Sequence, residues 1–458
     1  MKNTRIFPHF PQDLHSLAEA LGLALPIMAQ SAVTVAVQLT DSLMLSWYGE
    51  QALSASSLAG QYLALFQLCA MGIGVGTGVL TARFWGMQER ESLHRSVTLL
   101  CRGELLLAAG FGLVGTVWPE TVLGLFTADA GLIEAGRDYL RWLWPGYLPL
   151  ALSQGCTAVL RSVGEVRRPL WYSLAGFAVN AVLNGLLIFG LFGLPELGVK
   201  GAAAATAAAR WTEGLLCCGY FFFRERGIGY RVKHLGLSCR GELRQYLRIC
   251  LPVLLSDGLL GLGNTASAAI FGHLGPAYVA GSAVTVVLQQ LSGVLHHGVA
   301  GAAGVVIGHT LGEGDKEKAQ RQGWGFALLG AAVGLAATGL VAVLQRPLLQ
   351  LYRVSPEAEA VAREIFRGML LTMTVRCTSG ALTKGVLRAG GDTAFVMAAD
   401  LGFLWLVSIP AASVWALCLH GSALGTYVLL QTDQILKCGL CLWRLHSEKW
   451  MKRIFGCA

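Results

Sequence analysis

Charge is scarce in this chain of 458 residues: Asp, Glu, Lys and Arg together make up 14%, against about 25% in soluble domains. That shortage excludes a soluble enzyme and a disordered chain. A secreted disulfide scaffold is excluded as well, because most of the 12 cysteines lie inside apolar runs, where a free thiol packs as a small hydrophobe. Cys438 and Cys441 have CxxC spacing, but no second ligand pair accompanies them, so packing is the expected role. No metal site is expected at His296, His297 or His309, which have no H-E-x-x-H pattern or carboxylate partner. No Ala-x-Ala cleavage signature closes the first thirty residues, so the first apolar segment is expected to stay.

Apolar residues, by contrast, form 54% of the chain, and the mean hydropathy is +0.56. A membrane-crossing helix needs about 20 apolar residues, so twelve need about 240, close to the apolar total. Glycine, at 58 residues, is close to twice its usual share, as tightly packed membrane helices prefer. The expected fold is therefore an all-α integral membrane protein with twelve transmembrane helices. Apolar runs place them near 21–46, 53–82, 96–117, 138–160, 169–192 and 200–223, then 249–272, 277–310, 323–345, 364–387, 394–417 and 421–443. Residues 1–223 form a first lobe and 249–443 a second. Between them lies the polar connector 224–248, with seven basic residues and two acids, and 444–458 forms a tail. With both termini on one side, that side collects 25 of the 35 Lys and Arg residues, so both termini are expected in the cytoplasm. The net charge of +8 is mostly this bias, and no basic, aromatic-interleaved module exists to bind nucleic acid.

An internal repeat organises the spans. Leu25-Pro26-Ile27 recurs as Leu251-Pro252-Val253, Trp47-Tyr48-Gly49 lines up with His273-Leu274-Gly275, and Gly86 with Gly312, all at an offset of 226. Ala158 to Glu165 echoes Gly385 to Asp392 at 227. Six spans per unit is an even number, so the two lobes are parallel repeats, the plan of carriers that rock two bundles about a central site. An enzyme has no evident use for that plan, and no catalytic constellation is present.

Several stretches carry a family resemblance. They are Pro26, Gln30 and Asp41-Ser-Leu-Met in the first helix, Arg83-Phe-Trp-Gly, and Leu160-Arg161-Ser-Val-Gly-Glu. Asn180-Ala-Val-Leu-Asn184, Gly198-Val-Lys-Gly-Ala-Ala-Ala-Ala-Thr206 and Leu387-Arg-Ala-Gly-Gly-Asp392 follow in order. Together, over almost the whole chain, they resemble the multidrug and toxic compound extrusion (MATE) transporters. The resemblance implies an antiporter, expected to be bacterial, that exports organic, often cationic, drugs across the plasma membrane against inward H+ or Na+. No cofactor beyond that ion is implied, and the expected partners are a small organic substrate and the lipid bilayer around a monomer. The rival readings are a related carrier of amphiphiles or lipid-linked substrates, and a transport-inactive membrane scaffold.

Ionisable groups inside spans are costly and mark function by default. At about 1.5 Å per residue, Asp41, Asn180, Asn184 and Thr206 fall at one depth in the outer half of the first lobe, a candidate cation or proton site. The resemblance matches Asp41, Asn180 and Thr206 to cavity-lining positions in archaeal members, which carry Asp where this chain has Asn184. In the second lobe Asp257, Asp400 and Arg376 share a depth, and Arg376 is expected to pair with one of the two acids. Arg210 with Glu213 and Asp433 with Lys437 have helical spacing for local pairs. Glu104 with Arg102 is expected to snorkel to the cytoplasmic face. A loose set of polar and aromatic residues, Tyr62 and Tyr147 among them, is available to meet a cationic drug.

Overall fold

The computed structural model describes residues 14–452 apart from 128, 194, 353 and 354. All regular structure among them is helical. The first half runs α1 (Leu14–Tyr48), α2 (Glu50–Gly86), α3 (Arg90–Val117), α4 (Pro119–Gly124), α5 (Ala130–Leu143), α6 (Tyr147–Ser162), α7 (Arg167–Phe189) and α8 (Val199–Gly219). The second half runs α9 (Arg240–His273), α10 (Pro276–Gly312), α11 (Lys316–Tyr352), α12 (Pro356–Gly380), α13 (Thr393–Phe403), α14 (Ile409–Ser413), α15 (Ala423–Leu430) and α16 (Thr432–His446). Each expected span has its helix. The fourth is built from α5 and α6 across a short turn at Trp144–Gly146, where Pro145 interrupts the hydrogen-bond ladder. The last is α15 followed by α16.

Eight of the helices are long and apolar enough to cross a membrane. Their outer faces carry large apolar side chains, Leu106 at 75% and Leu406 at 79% exposed. The interior is largely apolar too, and holds among those residues a smaller set of buried amides and carboxylates. An apolar outer face of membrane length is what a hydrocarbon solvent selects. Two compact units result. One comprises Ala29–Thr81 and Glu89–Leu254; the other comprises Met1–Met28, Ala82–Gln88 and Leu255–Ala458. The division falls inside α1, just past Pro26.

In the first unit α7 and α8 approach closely because α8 opens with small residues. A Cβ on Gly201 would lie 2.5 Å from the Leu187 carbonyl oxygen, so only glycine fits there. The connector is folded onto α3. Glu225 accepts the backbone N–H groups of Gly227, Ile228 and Gly229. Arg102 donates to the carbonyls of Leu235 and Leu237, Tyr230 is fully buried, and the His94 and His234 rings stack with centroids 4.6 Å apart.

In the second unit α12 runs into a π-helical turn at Ala381–Leu387. Such a turn takes up one extra residue within a helix. It runs into the start of the repeat landmark whose offset is 227, not 226. The segment after α16 packs beneath the Gly390-Gly391 turn. Trp450 is fully buried and donates to Gln320 at 2.8 Å, while the Lys452 N–H donates to the Gly390 carbonyl at 2.8 Å.

Candidate polar networks

Helical spacing lines up three polar stripes in the first unit. On α1 they are Gln30, Thr34 and Asp41; on α7, Ser173, Asn180 and Asn184; on α8, Thr206, Arg210 and Glu213. Residues three or four apart share a helix face, and these faces meet around a cleft whose wall includes Thr34, Asn180, Thr206 and Arg210.

The four residues read from the sequence as one site are joined there. Asn184 donates its amide N–H to Asp41 and to the Asn180 oxygen at 3.3 Å. Asn180 donates to the Thr206 hydroxyl at 3.4 Å, and Tyr139 of α5 hydrogen-bonds the same Thr206. Both asparagines are fully buried, and the Asn184 carbonyl oxygen has no hydrogen-bond partner. A second chain leaves the same cleft. Arg210 meets Glu213 at 3.1 Å, Ser173 donates to Glu213 at 2.7 Å, and Gln30 donates to Ser173 at 2.9 Å. Arg161 of α6 closes the chain on the Gln30 oxygen, its Nε at 3.1 Å. The expected Arg210–Glu213 pair is therefore one link of a longer network, and Arg210 is near enough for its charge to act on Asp41.

The second unit departs from expectation. Asp257 is held by Arg388 through two hydrogen bonds of 3.0 and 2.8 Å. Asp400 accepts from Ser256 at 2.6 Å and from Lys437 at 3.0 Å, and Lys437 also meets Asp433 at 2.9 Å. All these charged groups are buried. Arg376 pairs with neither acid. It points elsewhere, toward Tyr427 and His296. Depth along a helix places a residue by height alone, and its azimuth puts Arg376 on a different face of α12. Glu104 also departs: it is fully buried, with both carboxylate oxygens unpartnered. Arg102 is committed to the connector carbonyls and leaves it no route to the interface.

Arg388 is the residue the sequence reading missed. Following an apolar run, it counts as a cytoplasmic loop charge, yet it is 2% exposed. The repeat carried a signal, since Arg388 stands 227 positions from Arg161, Asp400 from Ser173, and Lys437 from Arg210, while Ser256 stands 226 from Gln30. Each unit threads these equivalent positions in the same order, from an arginine through a polar residue on its first helix to a polar residue on its fifth. The first unit does so largely with neutral groups, and the second with charged ones.

Comparison with known proteins agrees with this architecture. The MatE family model matches residues 26–186 and 252–414, one match in each half. A probable multidrug resistance protein NorM from Thermotoga maritima is 26% identical over 444 residues, spanning 95% of this chain and 93% of that protein. Another from Rhodopseudomonas palustris is 28% identical over 456 residues, spanning 94% and 91%. Among solved structures, the outward-facing conformation of a multidrug resistance MATE family transporter of the MOP superfamily superposes with a TM-score of 0.85. It has 20% identity and covers 94% of this chain and 96% of that one.

Proposed function

Because the chain belongs to the MatE family, we propose that it is a multidrug efflux antiporter, exporting organic, often cationic, compounds across the plasma membrane against inward H+ or Na+. The multidrug resistance relatives support the export reading. The observation that carries coupling is the buried oxygen cluster of Asp41, Asn180, Asn184 and Thr206, with its unpartnered Asn184 oxygen. Its donor set serves either ion. A carboxylate takes a proton directly, and a carboxylate with amide and hydroxyl oxygens supplies the hard ligands an alkali cation needs.

Binding the ion cancels the Asp41 charge and changes what Asn184 can donate to. Rearrangement is transmitted along α1, where Pro26 already removes one backbone hydrogen bond and permits a kink. Substrate and ion need only prefer different conformations for the two fluxes to be coupled. Both termini are read as cytoplasmic, so inward ion flow meets Asp41 from the outer half of α1. In the second unit Asp257, Asp400 and Asp433 each meet a base, whereas Asp41 is held by a neutral amide, which favours it as the coupling carboxylate.

Dye efflux from energised vesicles, with a proton gradient and a sodium gradient imposed separately, tests both parts. One gradient is expected to drive efflux, and Asp41→Asn is expected to abolish it at unchanged membrane abundance. Full efflux by Asp41→Asn would remove Asp41 from the mechanism, and no efflux under either gradient would remove the antiport reading.

A further inference from the structure

Within the second unit, most buried cations meet an acceptor. Arg388 has Asp257, Lys437 has Asp400 and Asp433, Lys384 lies in the field of Asp257 and Asp400, and Arg83 donates to the Lys452 carbonyl at 2.7 Å. Arg376 differs. It is half-buried in α12, no carboxylate lies within salt-bridge distance of it among the described residues, and one of its guanidinium nitrogens is buried without a partner. An uncompensated charge inside a membrane domain costs several kcal/mol, so a counter-charge is what this position lacks.

Its surroundings have the chemistry of an anion site. Tyr427 of α15 lies along α12, its ring 2.7 Å from where a Cβ on Gly368 would stand. Its hydroxyl faces Arg376 without completing a hydrogen bond of good geometry. His296 of α10 is near enough for the Arg376 charge to act on it. The imidazole sits 3.1 Å from where a Cβ on Gly380 would be, so two glycines of α12 make room for the two rings. Beside His296, Ser292 on the preceding turn of α10 and Ser379 on α12 are both buried, and both hydroxyl oxygens lack partners. Unspent donors thus gather about a free guanidinium, with no acid to receive them. A guanidinium presents its N–H groups as a planar fork that fits a carboxylate in two places.

We propose that Arg376, flanked by Tyr427 and His296, is an anion-binding site that takes the carboxylate of an organic substrate or a small inorganic anion. For the first source this deepens the efflux reading and rests on it, since it names Arg376 as the residue that holds the free acid of a zwitterionic cargo. For the second, the bound anion supplies the counter-charge to Arg376.

The test uses the purified full-length protein and a matched pair of dyes: rhodamine 110, which carries a free carboxylate, and rhodamine 123, its methyl ester. Binding is read by fluorescence anisotropy in sodium HEPES alone and with sodium chloride added. If a substrate carboxylate is the ligand, Arg376→Gln weakens rhodamine 110 about tenfold, the loss of one charged hydrogen-bonding partner, and leaves rhodamine 123 unaffected. Arg376→Lys, which keeps the charge but not the fork, falls between. If an inorganic anion is the ligand, chloride raises the melting temperature of the wild type but not of Arg376→Gln, and the two dyes respond alike. The proposal is overturned if Arg376→Gln and wild type bind rhodamine 110 equally and respond equally to chloride. Should Arg376→Gln fail to fold, Arg376→Lys is read in the same assays against the same criteria. Rhodamine 123 efflux by the wild type keeps the two readings apart, because a protein that binds anions through Arg376 but moves no rhodamine 123 loses the transport reading and keeps the site.

Discussion

Asp41 and Asp257 are both carboxylates on apolar helices, and their partners give them different work. Asp257 receives two hydrogen bonds from a buried guanidinium; Asp41 receives one from a neutral amide. A buried ion pair is of uncertain net value, but removing one partner strands the other, at a cost of about 3–5 kcal/mol. Asp257→Ala is therefore expected to lower the melting temperature of the detergent-solubilised protein sharply. Adding Arg388→Met should recover much of the loss, because the stranded charge goes with it. If Asp257→Ala melts like the wild type, the pair has no structural role. These two acids also mark how far residue-level reading reached. Asp41, Asn180, Asn184 and Thr206 could be assembled from depth alone, because their helices are regular there and the spacing keeps each residue on an inward face. Arg376 could not, because equal depth does not mean facing sides. Arg388 could not either, because a base after an apolar run looks the same whether it ends in water or folds back onto an acid.

Helices were the most legible elements, since a run of apolar residues of membrane length has few other uses. The segments between them were not legible, because their order comes from tertiary partners and not from periodicity. Residues 225–239 show this best. His234 accepts the Arg231 backbone N–H through Nδ1 at 2.9 Å, which requires that nitrogen to be unprotonated. Burial, with the neighbouring His94, Lys233 and Arg231, holds the His234 imidazole below its ordinary pKa. A base depressed in the folded state contributes stability that is complete above its unfolded value, about 6.5, and is lost as pH falls below it. The connector should thus loosen on acidification, with lower hydrogen-exchange protection at residues 227–237 at pH 5.5 than at pH 7.5 once each rate is divided by the intrinsic exchange rate at its pH. His234→Asn should flatten that difference, whereas an unchanged pH response in the variant would assign it to another group. The segment after α16 has a simpler anchor. Trp450 is the largest fully buried side chain, and Trp450→Ala is expected to cost about 3–5 kcal/mol. Trypsin should then cut the tail at Lys449 or Lys452 faster than in the wild type.

Across the whole molecule, duplication supplies two six-span units with equivalent polar threads, and divergence of those threads separates their roles. In the second unit three acids meet three bases, so a change in external cation finds little there to titrate or ligate. In the first unit Asp41, a carboxylate that meets no base, stands beside two amides, a hydroxyl and an unpartnered oxygen. An ion that binds there alters charge and hydrogen bonding together. A response to the coupling ion should therefore be confined by unit. With the wild type held at constant pH, adding sodium, or at constant sodium, moving from pH 8 to pH 7, is expected to raise hydrogen-exchange protection, taken relative to the intrinsic rate at each pH, in peptides from α1 beyond Ala29, α7 and α8. Peptides from α9 beyond Leu255, α13 and α16 should change little. Asp41→Asn should erase the first-unit response to whichever ion produces it. Protection that appears mainly in the second unit, or that survives Asp41→Asn, would mean that the charged thread, and not the neutral one, senses the ion.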